Sequence, residues 1–301
     1  MESRGLRATF IASTEFVDAA ACGDFDSVEA LLADAGPGVQ LVWMSHFDAI
    51  TDGPDGEHIT DRLTSEAIDF IRTNRNAPFY LNLWHYSVHG PWQHKEAYTK
   101  EYAKKTDPRG FQKNPIMASM LKSVDDSLGR ILDELDSRGL TENTLFIFFS
   151  DNGSAWSTNA PFRDKKGSRF EGGLRVPLIV SWAKPNPNHP MQKKLAIPEQ
   201  SVSHDVVTCV DLMPTILRIA GAKIPKDALI DGFDISPYFT AREGTHRPQE
   251  FLTHFPHKHR NTLFSTYRRD NWKIIYNYAS EKWELYNLKL DPFEKNNLVG
   301  E

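Results

Sequence analysis

Between residues 58 and 221, short unbroken apolar runs alternate with longer segments in which apolar residues recur every three or four positions. Phe79-Tyr80-Leu81-Asn82-Leu83-Trp84 and Leu145-Phe146-Ile147-Phe148-Phe149 are runs of the first kind, and Val176 to Trp182 reads as a third. Strands with so little polar alternation are covered on both faces, which is the situation of a parallel sheet flanked by helices. The intervening segments supply the helices. Leu63, Ala67, Ile68 and Ile71 place one over about 60–74. The spacing of Ile116, Met120, Leu121, Val124, Leu128, Ile131, Leu132 and Leu135 predicts a longer one, with Gly139 as its stop. Asp211, with Pro214 in the first turn, opens a further helix that ends at Gly221. The expected fold class is α/β: a mostly parallel sheet with helices on both faces.

The two ends of the chain read differently. Thr262–Tyr267, Trp272–Tyr278 and Trp283–Leu288 are short aromatic-rich runs separated by turn signals such as Asp270-Asn271. They predict a small antiparallel C-terminal subdomain over 241–301. The stretch 183–200, rich in Pro, Asn and Lys, reads as a surface loop. Residues 14–36 read as two short helices broken at Gly23-Asp24, within an unplaced helical N-terminal segment spanning 1–45. That pair is weakly ankyrin-like, but one repeat cannot bury its own face, so a hairpin docked on the main domain is the simpler reading. The α/β core is then expected over 46–240.

Composition narrows the function. The net charge of −5 and the absence of a long basic stripe argue against a sequence-blind nucleic-acid binder. No apolar run reaches the roughly 20 residues that span a bilayer. The first residues, MESRGLRATFIAST, contain no signal-peptide apolar core, so the localisation is left open. Cys22 and Cys209 can form neither a disulfide framework nor a metal site by spacing.

Chemistry-bearing residues gather where strands end. Ligands of open α/β sheets bind beyond the carboxyl ends of the strands. The strand at 79–84 leads into HYSVHGPW, with His85 and His89, and the strand at 145–149 leads into Ser150-Asp151-Asn152-Gly153. Shortly after comes KKGSRFEGGLRVP, whose glycines allow close backbone approach. An adjacent aspartate and asparagine offer hard oxygens suited to Ca²⁺ or Mg²⁺. Lys166 and His89 add groups able to hold an anion whose charge is spread over several oxygens, which fits sulfuryl or phosphoryl transfer. Taken singly, an Asp-Asn-Gly turn or a histidine after a strand is more often structural.

Seven blocks follow in order: DGPDGEHITDRLTSEAIDFI, FYLNLWHYSVHGPW, MASMLKSVDDSLGRILDEL, TLFIFFSDNGS, KKGSRFEGGLRVPLIVSW, VDLMPTILRIAG and WELYNLKLDPFEKNNL. Over about residues 50–300 they resemble the sulfatase family of the alkaline phosphatase superfamily. HFPHKHR, residues 254–260, resembles a block of the bacterial, planctomycete-type members. The resemblance implies an alkaline phosphatase-like fold and hydrolysis of sulfate esters, aryl or carbohydrate. It implies that Asp151 and Asn152 ligate the Ca²⁺ or Mg²⁺ ion and that Lys166 binds the sulfate oxygens. It implies that His89 hydrogen-bonds the sulfate and helps protonate the leaving group. His254, His257 and His259 would stand at the substrate-pocket rim, with His257 the chosen substrate contact. His85 carries no assigned role, and a packed residue beside Trp84 is an equal reading.

The departures from the family are as informative. Members begin with a strand ending in paired aspartates that complete the metal site, then C-x-P-S-R, whose cysteine becomes the formylglycine nucleophile. Cys22 sits in CGDFD and Cys209 in CVDLM, so neither occupies that motif. The expectation is therefore a sulfuric ester hydrolase by descent, with an incomplete metal site and without turnover as this isolated chain. Family members are often periplasmic or secreted. The alternatives are a non-catalytic protein of the same fold that binds sulfated glycans or a partner, and a phosphoester hydrolase of the superfamily. An apolar slot left by a missing N-terminal strand would have to be filled by residues 1–45.

Overall fold

The structure, a computed structural model, describes residues 7–13, 40–43, 53–54, 56–222, 224, 227–240, 247–256 and 263–300, the first two segments by their backbone. Its strands are β1 Arg7–Ser13, β2 Gln40–Trp43, β3 Phe79–His85, β4 Thr144–Ser150, β5 Leu178–Trp182, β6 Glu250–Phe255, β7 Phe264–Arg269, β8 Trp272–Asn277 and β9 Lys282–Asn287. Its helices are α1 Ile59–Asn74, α2 Glu96–Tyr102, α3 Pro115–Ser137, α4 Glu171–Leu174, α5 Pro190–Lys194, α6 Leu212–Ala220 and α7 Ser236–Phe239. The chain divides into two compact units: residues 1–102, 115–151 and 177–247, and residues 103–114, 152–176 and 248–301.

The first unit is built on a five-stranded sheet of order β2-β3-β1-β4-β5. The ladders β2–β3, β3–β1 and β1–β4 are parallel, whereas β4–β5 is antiparallel. Side chains alternate across the sheet, so β3 and β4 each feed two cores. Phe79, Leu81, Leu83 and Phe146 pack with Leu63, Ala67, Ile68 and Ile71 of α1 and Ile131 and Leu135 of α3. Tyr80, Leu145, Ile147 and Trp182 face the other way, onto Leu212, Ile216 and Leu217 of α6. The near-continuous apolar composition of β3 and β4 follows from having a helical layer on each side. Gly139, at φ 64°, ends α3 as its spacing required, and the Leu140 N–H donates to the Leu135 carbonyl at 2.8 Å. Gly221, at φ 75°, does the same for α6.

Two expectations are corrected here. Residues 7–13 and 40–43 are strands, not parts of a helical segment, and β1 is the middle strand of the sheet. The two helices expected over 14–36 fall outside the described residues. β5 is not a further parallel strand. The Ser150 N–H donates to the Pro177 carbonyl at 3.4 Å, so the excursion after β4 returns to the sheet end it left and the chain must run back antiparallel. As an edge strand β5 alternates in burial, with Ile179 exposed and Trp182 buried.

The second unit contains the antiparallel meander β6-β7-β8-β9. Its three aromatic-rich runs fall where the sequence places strands, and β6 joins them. Phe170, Ile275, Tyr286 and Leu288 form its core. Residues 152–176 belong to this unit, so the boundary near 240 read from sequence misses a segment drawn in by long-range ion pairs.

Candidate active site

Register sets where the candidate residues of the first unit stand. Ser13 pairs with His85 on one side and with Ser150 on the other, so β3, β1 and β4 finish level at their carboxyl ends. His89 follows β3 by four residues and Asp151 directly follows β4, which puts both at the same end of the first unit's sheet. His89 is half-buried and its ring is fixed locally. Nδ1 lies 2.5 Å from the Gly90 carbonyl, and the ring meets Tyr86 edge-on with centroids 5.6 Å apart. A carbonyl only accepts, so Nδ1 carries a proton. The Tyr86 hydroxyl donates to the same carbonyl at 2.7 Å, which pins the turn.

His85 is placed otherwise. It is fully buried on the α1–α3 side of β3, with Nε2 3.1 Å from the Ser127 hydroxyl, itself 2.6 Å from that of Thr64. Burial lowers its pKa to about 4, so the ring is neutral near pH 7. His85 is a packed residue joining β3 to α1 and α3.

Two further candidate residues lie in the second unit. Asn152 and Lys166 are both half-buried. The Lys166 N–H donates to the Ser154 carbonyl at 3.2 Å, and the Gly153 N–H donates to the Gly173 carbonyl at 3.0 Å. These two bonds stitch the turn after β4 to the loop that carries Lys166. Asn159 strengthens the join: its Oδ1 accepts from the Ser154 N–H at 3.0 Å, and its Nδ2 donates to the Ser154 carbonyl at 3.0 Å. Gly167, at φ 79°, reverses the chain just past Lys166 in a conformation that side chains resist.

The join depends on bare glycines. A Cβ at Gly153 would run into the Gly172 carbonyl, and one at Gly172 would run into the carbonyls of Arg163 and Asp164. These neighbours are backbone and cannot rotate away. Gly153→Ala should therefore lower stability by about 1–3 kcal/mol through overpacking. It should also loosen the Lys166 loop, read as a lower urea midpoint and faster amide exchange at Lys166. An alanine variant with wild-type midpoint and exchange would refute the close approach.

A layer of charge that sequence reading missed lies behind this loop. Lys273, 1% exposed, places Nζ 3.0 Å from Glu171 Oε1 and 2.8 Å from Glu294 Oε1. The Glu171 N–H donates to Glu294 Oε2 at 2.6 Å. Burial raises the Glu294 pKa, and the Lys273 ammonium works against that rise. Arg163 donates to the Tyr286 hydroxyl at 3.1 Å and the Glu294 carbonyl at 3.0 Å. Its guanidinium sits 3.7 Å from the Phe170 ring centre, and that of Arg169 sits 4.5 Å away. The cue available in sequence was Glu171 beside Gly172-Gly173, but its partners lie about a hundred residues downstream.

Asp151 and Asn152 offer a carboxylate and an amide oxygen, which suit a hard divalent cation in kind. In number they fall short of the roughly 6–8 oxygens that Ca²⁺ takes. Among the described residues no group of three or more His, Cys, Asp or Glu side chains is placed to hold a metal. His254 is exposed on β6, with Nδ1 2.7 Å from the Ser265 hydroxyl, while His257 and His259 lie outside the described residues. No helix among the described residues is long and apolar enough to cross a membrane.

The model of the sulfatase family matches residues 8–222, and the one described as N-sulphoglucosamine sulphohydrolase, C-terminal, matches residues 162–301. The first match takes in β1 and the stretch 10–45, where the motifs alone found no counterpart. A sulfatase of Formosa agariphila is 33% identical over 271 residues, 81% of this chain and 46% of that protein. N-acetylgalactosamine-6-sulfatase of Mus musculus is 34% identical over 200 residues, 64% of this chain and 34% of that protein. The chain thus spans less than half the length of these relatives. The crystal structure of Ps i-CgsB in complex with k-i-k-neocarrahexaose aligns with a TM-score of 0.69 over 98% of this chain and 67% of that one. At 23% identity, that alignment speaks for the fold. With a family match reaching from the middle strand of the sheet through α6, the chain belongs to the sulfatase family.

Proposed function

We propose that this chain carries the sulfate-holding part of a sulfuric ester hydrolase, on an alkaline phosphatase-like, mostly parallel sheet. The observation that carries the reading is the join, within the second unit, between Asn152-Gly153-Ser154 and the Lys166 loop, made by the Gly153 N–H to Gly173 and Lys166 N–H to Ser154 bonds. In this reading Asp151 and Asn152 are ligands of a Ca²⁺ or Mg²⁺ ion, whose chemistry when bound is Lewis-acid polarisation of a sulfate oxygen. Lys166 neutralises and orients the sulfate oxygens with a charged donor. His89, with Nδ1 committed to Gly90, donates from Nε2 as the imidazolium and protonates the departing alkoxide. His257 contacts the substrate, an aryl or carbohydrate sulfate ester.

Cleavage of the ester S–O bond also needs a nucleophile, and the 301 residues contain no C-x-P-S-R. Covalent catalysis is what divides such a hydrolysis into two easier steps, and binding alone does not turn substrate over. The 301-residue chain is thus expected to bind sulfate and not to hydrolyse its esters at a catalysed rate. Titration with inorganic sulfate in Ca²⁺ should show saturable binding, weakened roughly tenfold or more in Lys166→Ala, as loss of a charge-assisted hydrogen bond requires. An aryl sulfate should be hydrolysed no faster by the wild-type chain than by Lys166→Ala. Absence of sulfate binding would overturn the assignment. A metal-dependent rate abolished by the substitution would mean that some residue among the first 50 serves as the nucleophile.

A further inference from the structure

We infer that Glu294 and Lys273 are positioning residues for the Lys166 loop, which gives the C-terminal DPFEKNNL block a role in the sulfate site. The inference rests on the function proposed above for what the loop holds, though not for how the loop is held. Each link is a short contact within the second unit. Asp291 accepts from the N–H groups of Lys295 at 2.8 Å and Asn296 at 2.7 Å, folding the block so that Glu294, at φ 53°, turns inward and is fully buried. There its carboxylate takes both the Lys273 ammonium and the Glu171 N–H. The first residue of α4 is thereby fixed. The next two residues, Gly172 and Gly173, bond to the Arg163 carbonyl at 2.9 Å and from the Gly153 N–H at 3.0 Å. The last link is the Lys166 N–H to Ser154.

A carboxylate oriented by a lysine and aimed at a main-chain N–H defines a direction as well as filling space. An apolar core packed around the short α4 would hold it less specifically, because dispersion contacts are non-directional. Glu171, the acid in the EGG motif, is occupied by Lys273 at 3.0 Å with Arg268 at 3.9 Å, so it belongs to this scaffold and not to the ligand-facing set. Arg163 braces the same assembly from outside, through the Glu294 carbonyl and the Phe170 ring.

The test compares Glu294→Gln, which keeps an acceptor for the Glu171 N–H, with Glu294→Leu, which removes it. Amide exchange is followed at Gly153, Lys166 and Gly172, and binding of inorganic sulfate in Ca²⁺ is titrated well below each variant's melting temperature. Glu294→Leu should accelerate exchange at these amides and raise the sulfate Kd by about tenfold or more, while amides of β3 and β4 keep wild-type rates. Glu294→Gln should stay within roughly threefold of wild type in both, since the acceptor geometry survives. If Glu294→Leu does not fold, Arg163→Met, which leaves no buried charge behind, should give the same pattern at smaller amplitude. A folded Glu294→Leu or Arg163→Met chain with wild-type exchange and Kd would overturn the inference. So would a Glu294→Gln chain as impaired as the leucine variant. If wild type binds no sulfate, the proposed function fails while the exchange comparison still decides the positioning role.

Discussion

A chain lacking residues 1–45 is expected to lose cooperative unfolding and to aggregate. β1 lies between β3 and β4, in register with six residues of one and seven of the other. β2, Gln40–Trp43, goes with it, so the deletion removes three parallel ladders at once: β1–β3, β1–β4 and β2–β3. Each ladder bond is worth about 0.5–1.5 kcal/mol net, and a domain's whole margin is about 5–15 kcal/mol. Roughly ten such bonds are lost, so the deletion approaches or exceeds that margin. It also leaves β3 and β4 with open edges facing each other across a strand-wide gap, and unpaired edges recruit other chains. A milder form of the same test is Phe10→Pro. Phe10 pairs with Asn82 and Ile147, and proline deletes the N–H that one of these ladders needs. Urea unfolding followed by tryptophan fluorescence, with size-exclusion chromatography, distinguishes the outcomes. An equally soluble, cooperatively unfolding deletion variant would show that β1 is not the keystone of the sheet.

Lys273→Met should cost about 3–5 kcal/mol, because it leaves the buried Glu294 carboxylate without its cation and Glu171 with only Arg268 at 3.9 Å. The loss should also depend on pH. Burial already holds the Glu294 carboxyl above its ordinary value, and Lys273 is the leading influence pulling it down. A raised folded-state pKa means the folded protein favours the protonated form. The stability it contributes is full below the unfolded value and is lost as pH rises through the folded one. Without Lys273 the folded value climbs further, so the variant's deficit should widen above the ordinary glutamate range and narrow below it. The urea midpoint of Lys273→Met, relative to wild type, should therefore be lower at pH 8 than at pH 5. Pairing Lys273→Met with Glu294→Gln should recover part of the loss at pH 8, since one of the stranded charges is gone. A variant matching wild type at pH 8 would mean the three side chains do not share a buried charge.

Much of the first unit was legible before any coordinates. Ile59–Asn74, Pro115–Ser137 and Leu212–Ala220 are helices because one face of each is apolar at helical spacing. Phe79–His85 and Thr144–Ser150 are strands because their apolar runs serve two cores. The SDNG and KKG motifs were legible for a related reason. They stand at a strand end and in a glycine-rich loop, so chain order alone brought Asn152 and Lys166 into one segment.

What escaped the sequence has a common cause. Arg7–Ser13, RATFIAS, holds only Phe10 and Ile11 as large apolar residues, too few to mark a strand, and its place as the middle strand depends on β3 and β4 being there to receive it. The direction of β5 was settled by where a long excursion rejoins the sheet, which no local pattern encodes. Nothing in the local sequence around Lys273 or Glu294 marks either as buried. They are buried because Glu171, 102 and 123 residues away, meets them in space. Periodicity and motif are local properties of the chain, so the sequence by itself determined the longer helices, the strands at 79–85 and 144–150, and the family. Strand order, strand direction and the pairing of buried charges are set by through-space energies between distant segments, and only the tertiary structure decided them.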